Sequence, residues 1–134
     1  MNCPMSRLPL ERFPLHLGLG AHVVPQPEFT GMEWYAAYLK RHAADGSEGW
    51  LVQMFGFSAS WSSWERHPAG DEAVICTSGA ITLIQELPDG PRKLALRAGD
   101  YALNPRGVWH TADVEGPATA LFITAGRGTE HRPR

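Results

Sequence analysis

Glu65 and His67 stand two residues apart, a spacing that points both side chains to one face if the segment is a strand. Pro68 supports that strand, because a residue before proline is pushed toward extended backbone. Pro68-Ala69-Gly70-Asp71 then turns the chain, and Glu72 opens the next segment close to where the previous one ended. Far along the chain, Pro105-Arg106-Gly107 makes a second sharp turn and His110 follows it. Two imidazoles and two carboxylates brought together inside a barrel form a site for a borderline or hard divalent ion. Buried carboxylates also demand a cation or a proton.

The elements that must position these residues are strands. Residues 50–57 carry large apolar groups on both faces, and strand-like runs follow at 61–67, 72–77, 80–87, 92–97, 101–104, 108–113 and 118–125. Turn signals separate them, including Ser78-Gly79, Pro88-Asp89-Gly90-Pro91, Ala98-Gly99-Asp100 and Glu115-Gly116-Pro117. Many short strands at this spacing specify an all-β sandwich or barrel. Ahead of them, residues 1–29 hold five prolines and read as an extended arm with an edge strand. Thr30 and Glu33 fit a capping box, which predicts one helix over 33–44 with Tyr35, Tyr38, Leu39 and His42 on one side. Asp45-Gly46 stops it. The polar, Arg-rich residues 126–134 read as a fraying tail.

The stretch Glu65-Arg66-His67-Pro68-Ala69-Gly70-Asp71-Glu72, followed by Gly79, resembles the first motif of the cupins. The stretch from Gly99 to His110 is similar to the second cupin motif at its Gly, Pro, Gly and His positions. The resemblance covers residues 65–110, and the strand pattern extends it from about 50 to 125. It implies a small, single-domain cupin of the cupin-2 type. The expected fold is a double-stranded β-helix, or jelly-roll, barrel with a short N-terminal helix. The expected layout is one domain over 1–134, with arm and helix at 1–49, barrel at 50–125 and tail at 126–134. It also implies a divalent metal, iron, manganese, nickel or zinc, on Glu65, His67, Glu72 and His110. Glu65 departs from the family pattern, which usually has a histidine there, so an acid–base role beside the ion stands next to direct ligation.

Two carboxylate ligands neutralise much of a divalent ion's charge, so hydrolysis by an acidified bound water ranks below oxygenation or metal-assisted enolisation. Two classes of function follow: a metal-dependent enzyme of oxygenase or isomerase type on a small polar substrate, or a non-catalytic sensor or binding module. A net charge of −2 leaves no electrostatic footprint for nucleic acid or an anionic membrane. No segment has the roughly 20 apolar residues that span a bilayer. The remaining partners are a small-molecule ligand and a second copy, the homodimer being suggested by residues 50–57 and by Trp64 and Trp109 facing outward. Two cysteines, Cys3 and Cys76, are too few for a disulfide framework and indicate a reducing, cytoplasmic setting. Cys76 shares parity with Glu72 and reads as a small inward hydrophobe. Trp61 shares the parity of Glu65 and is placed on the cavity wall. Arg106 is a candidate for a substrate carboxylate, whereas His16, His22, His42 and His131 read as ordinary surface or packing residues.

Overall fold

The computed structural model describes residues 7–134, so Cys3 and Pro4 lie outside the described residues. In chain order the elements are β1 (Leu15–Gly18), β2 (His22–Pro25), α1 (Glu33–Arg41), β3 (Trp50–Phe57), β4 (Ser63–Arg66), β5 (Glu72–Ser78), β6 (Ala80–Leu87), β7 (Gly90–Arg97), β8 (Tyr101–Asn104), β9 (His110–Asp113), β10 (Ala118–Thr124) and β11 (Glu130–Pro133). They form two antiparallel sheets, ordered β2-β1-β3-β10-β5-β8 and β11-β4-β9-β6-β7. This is the all-β jelly-roll expected from the turn spacing. Among the described residues no helix is long and apolar enough to cross a membrane.

The strands alternate as a two-layer fold requires. Along β10 every second residue is buried, and Val74 and Cys76 of β5 do the same. The inner faces meet in one core, where Val74, Cys76, Ala120 and Phe122 of the larger sheet oppose Ile81, Leu83, Leu96 and Ala112 of the smaller one. Cys76 is fully buried there as a free thiol, as its parity predicts. Gly79, in the first motif, links β5 to β6 at φ +70°, and a Cβ there would strike the Pro117 carbonyl oxygen. Only glycine satisfies both conditions.

The N-terminal segment is more structured than an arm. β1 and β2 form a hairpin that extends the larger sheet, β1 pairing with β3. Its anchor is His16, 2% exposed, whose Nδ1 hydrogen-bonds Tyr38 Oη at 2.7 Å and whose Nε2 meets Asp45 Oδ2 at 2.6 Å. His42 stacks on His16 with ring centroids 3.7 Å apart. Gln26 donates from its amide to His42 Nε2 while its carbonyl accepts from Arg41. Both histidines therefore hold the helix on the hairpin. The helix itself starts without the expected capping box: Met32 is its N-cap in helical geometry, and no side chain caps it. Trp34 and Tyr38 are the buried residues of α1 and stack on each other over Leu51, whereas Tyr35 and Leu39 turn toward a cavity.

The last residues also depart from expectation. Rather than fraying, Glu130–Pro133 pairs antiparallel with Ser63–Arg66 as β11. The cause lies in its arginines. Arg132 sits over the rings of Trp109 and Trp64 at 4.5 and 5.3 Å, and Arg66 also lies over Trp109, at 4.6 Å. Glu130 pairs with Arg66 at 2.7 Å, and Arg132 with Glu86 at 2.8 Å. The two outward tryptophans are thus partly covered by cations and do not form the bare apolar patch expected of them.

Replacing Arg132 with alanine removes both cation–π contacts and the Glu86 pair, together worth about 1 kcal/mol at these half-exposed positions. The melting temperature should fall by about 4 °C, with tryptophan emission shifting to the red. An unchanged melting temperature would mean that β11 packs without contributing.

Candidate metal centre and cavity

Glu65 and His110 face each other directly, as the register pair of β4 and β9. Directly opposed residues of neighbouring strands hold their Cβ atoms about 5 Å apart, so this pairing alone brings carboxylate and imidazole together. His67 follows at the corner where β4 ends, and Gly107 N–H donates to its carbonyl oxygen at 3.1 Å. That bond ties the second turn to the first motif. Gly107 makes the turn at φ +74°, a conformation that favours glycine. Glu72 comes from the other sheet, at the start of β5 opposite Asn104.

The four side chains meet. His67 Nε2 lies 3.1 Å from Glu65 Oε1 and 3.1 Å from Glu72 Oε2. His110 Nε2 lies 3.2 Å from Glu72 Oε1 and 3.6 Å from Glu65 Oε1. Ligands about 2.1 Å from a shared ion stand roughly 3.0–3.5 Å from one another, so three of these separations suit a single ion and the fourth lies just beyond. Both Nε2 atoms are buried and neither makes an aligned hydrogen bond. Buried polar atoms without a partner are uncommon, and a cation between the imidazoles and carboxylates would satisfy both. On this observation the residues fit a divalent metal.

The family model described as the cupin domain matches residues 55–126, more than half of the chain. The chain belongs to the cupin-domain family. Comparison with curated proteins finds no match. Among solved structures, this cupin is similar to an oxalate oxidase at 17% identity and TM-score 0.53, over 60% of this chain and 44% of that one. It is similar to Peruvianin-I from Thevetia peruviana latex, described as a cysteine peptidase, at 21% identity and TM-score 0.54, over 63% of this chain and 56% of that one. A cupin-2 domain containing protein from Shewanella frigidimarina aligns at 20% identity and TM-score 0.48, over 63% of this chain and 71% of that one. At such identities the likeness is one of fold.

Around the four residues the cupin supplies supports that the sequence did not reveal. Asn104 Nδ2 donates to Glu72 Oε1 at 2.9 Å, and Gln85 Nε2 donates to Asn104 Oδ1 at 2.8 Å. Gln85, Asn104 and Glu72 are each at most 2% exposed, so the carboxylate is aimed by a buried amide relay. Thr129 Oγ1 hydrogen-bonds His67 Nδ1 at 2.9 Å, which leaves Nε2 to face the centre. His131, read from sequence as an ordinary residue, reaches Glu65 Oε2 at 2.9 Å. Glu65 thereby points one oxygen at the two imidazoles and has the other held by β11. The signal for Asn104 and Gln85 was their inward parity on strands; Thr129 and His131 had none, because their segment carries no apolar alternation.

A cavity of about 710 Å³ opens onto Glu65, His67 and Glu72. Trp61 lines it, as its parity predicts, and so do Phe55, Phe57 and Phe122. Arg106 does not line it. Its guanidinium donates to the Ala69 carbonyl and its backbone N–H to Asp71, which fastens the two turns together. The arginine at the cavity is Arg127.

Without a metal the four groups compensate one another. Burial alone would lower an imidazole's pKa, but Glu65 and Glu72 outweigh it, pushing His67 up to about 10 and His110 up to about 9. Burial alone would raise the carboxyls, but His110 and His67 hold Glu65 and Glu72 well below the ordinary range. The unfolded chain titrates its glutamates near 4.5 and its histidines near 6.5. The raised imidazoles therefore stabilise the fold fully below 6.5 and lose that contribution as pH climbs through about 9 and 10. The lowered carboxylates stabilise it above 4.5 and lose that as pH falls. The melting temperature of chelator-treated protein should be highest between pH 4.5 and 6.5 and fall on the alkaline side. A melting temperature flat from pH 6.5 upward would show that the imidazoles are not charged in the metal-free fold.

Proposed function

We propose that this cupin is a metal-dependent enzyme of oxygenase or isomerase type, with Glu65, His67, Glu72 and His110 holding one divalent ion. The observation that carries the reading is the pair of buried Nε2 atoms of His67 and His110, which face two carboxylates without an aligned hydrogen bond beside an open cavity. A metal kept for structure alone is normally closed in by its ligands, whereas a working metal keeps a side open to substrate. The bound ion would supply a Lewis acid that polarises an oxygen-bearing substrate. The chain's own residues do the rest. The amide relay from Gln85 through Asn104 fixes the Glu72 oxygens, Thr129 fixes the His67 ring, and Phe55, Phe57, Trp61 and Phe122 wall the space beside them.

A non-catalytic sensor would use the same donors but would turn over no ligand. Oxygen uptake or isomer formation on screening diketones, thiols and hydroxy acids separates the two. A homodimer is a further proposal, now carried by Tyr101 and Leu103, exposed on the edge strand β8, rather than by the covered tryptophans. Light scattering at tens of micromolar tests it.

Elemental analysis of protein purified without added metal should find about one transition-metal ion per chain. His110→Ala should strip most of it, while Glu65→Gln, which keeps shape and removes charge, should weaken binding less. Glu65→His should shift preference toward softer ions such as zinc. Wild-type protein that takes up no metal after reconstitution would remove the proposal, and unchanged metal in both Glu65 variants would exclude that residue alone. Loading at neutral pH should also release protons from His67 and His110, seen as a calorimetric heat that scales with buffer ionisation enthalpy.

A further inference from the structure

The sequence suggests a small polar substrate, but the cavity is walled by rings. Phe29 packs on Phe55 with centroids 5.9 Å apart, Phe55 on Phe122 at 5.9 Å and Phe122 on Phe57 at 6.0 Å. Phe57 then meets Trp61 at 5.6 Å, and Trp61 reaches the His110 ring at 6.2 Å. The series is continuous from the N-terminal segment to the metal centre. Phe29, Phe55, Phe57 and Trp61 are each only half-buried, although they line the interior of a barrel. Rings left partly exposed in this way favour another ring, because aromatic pairs gain attraction beyond the area they bury. A volume of about 710 Å³ is in the range of pockets that enclose a small molecule.

Part of the polar lining sits at the metal end. Ile123 pairs with Ala73 in β10 and β5, which sets Thr124 level with Glu72. The chain runs on from there into Arg127, Thr129 and His131, all of which line the cavity. Arg127 uses one guanidinium nitrogen on the Gly46 carbonyl at 2.7 Å. Among the described residues no carboxylate pairs with it, whereas Arg66, Arg132 and Arg134 each meet one. A planar guanidinium with open N–H groups beside a cavity is suited to a two-oxygen anion. Gln53 adds an amide whose oxygen is taken by Tyr35 Oη at 3.0 Å.

We infer that the cavity takes an aromatic molecule with an oxyanion head, its ring against Phe55, Phe57 and Trp61 and its anionic oxygens between Arg127 and the metal end. This rests on the proposed metal site and names the substrate class for it.

Isothermal titration of the protein as purified, with metal content measured on the same sample, tests the inference with four probes: benzoate, 2-naphthoate, benzamide and cyclohexanecarboxylate. Benzoate and 2-naphthoate should bind. Benzamide, which lacks the charge, should bind about tenfold more weakly, and cyclohexanecarboxylate, which lacks the ring, about threefold or more weakly. Arg127→Gln should erase the benzoate–benzamide difference, and Phe57→Leu or Phe55→Leu the benzoate–cyclohexanecarboxylate difference, with metal content unchanged. Equal binding of all four probes, or binding of none, would overturn the inference. Should benzoate keep these preferences in protein that takes up no metal, the metal reading fails while the aromatic-acid pocket stands. A metal-loaded protein that ignores every probe would give the reverse outcome.

Discussion

Four ionisable side chains gathered at one buried point are the constraint around which this barrel is arranged. A single carboxylate in such a place would be expelled or neutralised, because its desolvation far exceeds any neutral hydrogen bond. Glu72 persists at 2% exposure because His67 and His110 lie against it and Asn104 donates to it. The cluster also joins the layers, since Glu65 and His110 belong to the smaller sheet and Glu72 to the larger. Separating the sheets at this end would leave each carrying uncompensated charge. The same arrangement that makes the metal-free protein hold together makes a ready set of nitrogen and oxygen donors.

Glu65 stands where the cupin pattern usually has histidine, and the fold answers the added negative charge with a residue from the far end of the chain. His131 on β11 meets its outer oxygen, while Thr129 on the same segment steadies His67. The strand that does this is kept in place by arginines lying on Trp64 and Trp109. Surface packing at the C-terminus therefore reaches the centre through two hydrogen bonds. The lip formed by residues 126–129 also carries Arg127, so the element that steadies the ligands also borders the space where a substrate would sit.

The centre was legible in the sequence because strand periodicity and turn chemistry are local. A two-residue spacing sets Glu65 and His67 on one face, a prolyl turn returns Glu72, and Pro105–Gly107 delivers His110. Cys76 and Trp61 followed from the same parity. What escaped depends on partners far away in sequence. Residues 130–133 have no alternation of their own and become a strand only because Trp64, Glu65 and Arg66 offer them contacts. The hairpin of residues 15–25 lies between Pro14 and Pro25, and its place on the sheet is held by His16 meeting Tyr38 and Asp45. Residues 50–57 were apolar on both faces, so nothing local told which face would wall a cavity; β1, β10 and the helix decide that. The capping box failed because Met32 takes helical geometry and starts the helix without a side-chain cap.

The central claim is that His67 and His110 turn their Nε2 atoms to one ion shared with two carboxylates. X-ray absorption at the edge of the bound metal reads those ligands directly. The account predicts scattering from two imidazole rings in an otherwise oxygen-coordinated shell, reduced to one ring in His110→Ala. A shell containing sulfur, which would bring in Cys76, or one with no imidazole at all, would contradict it.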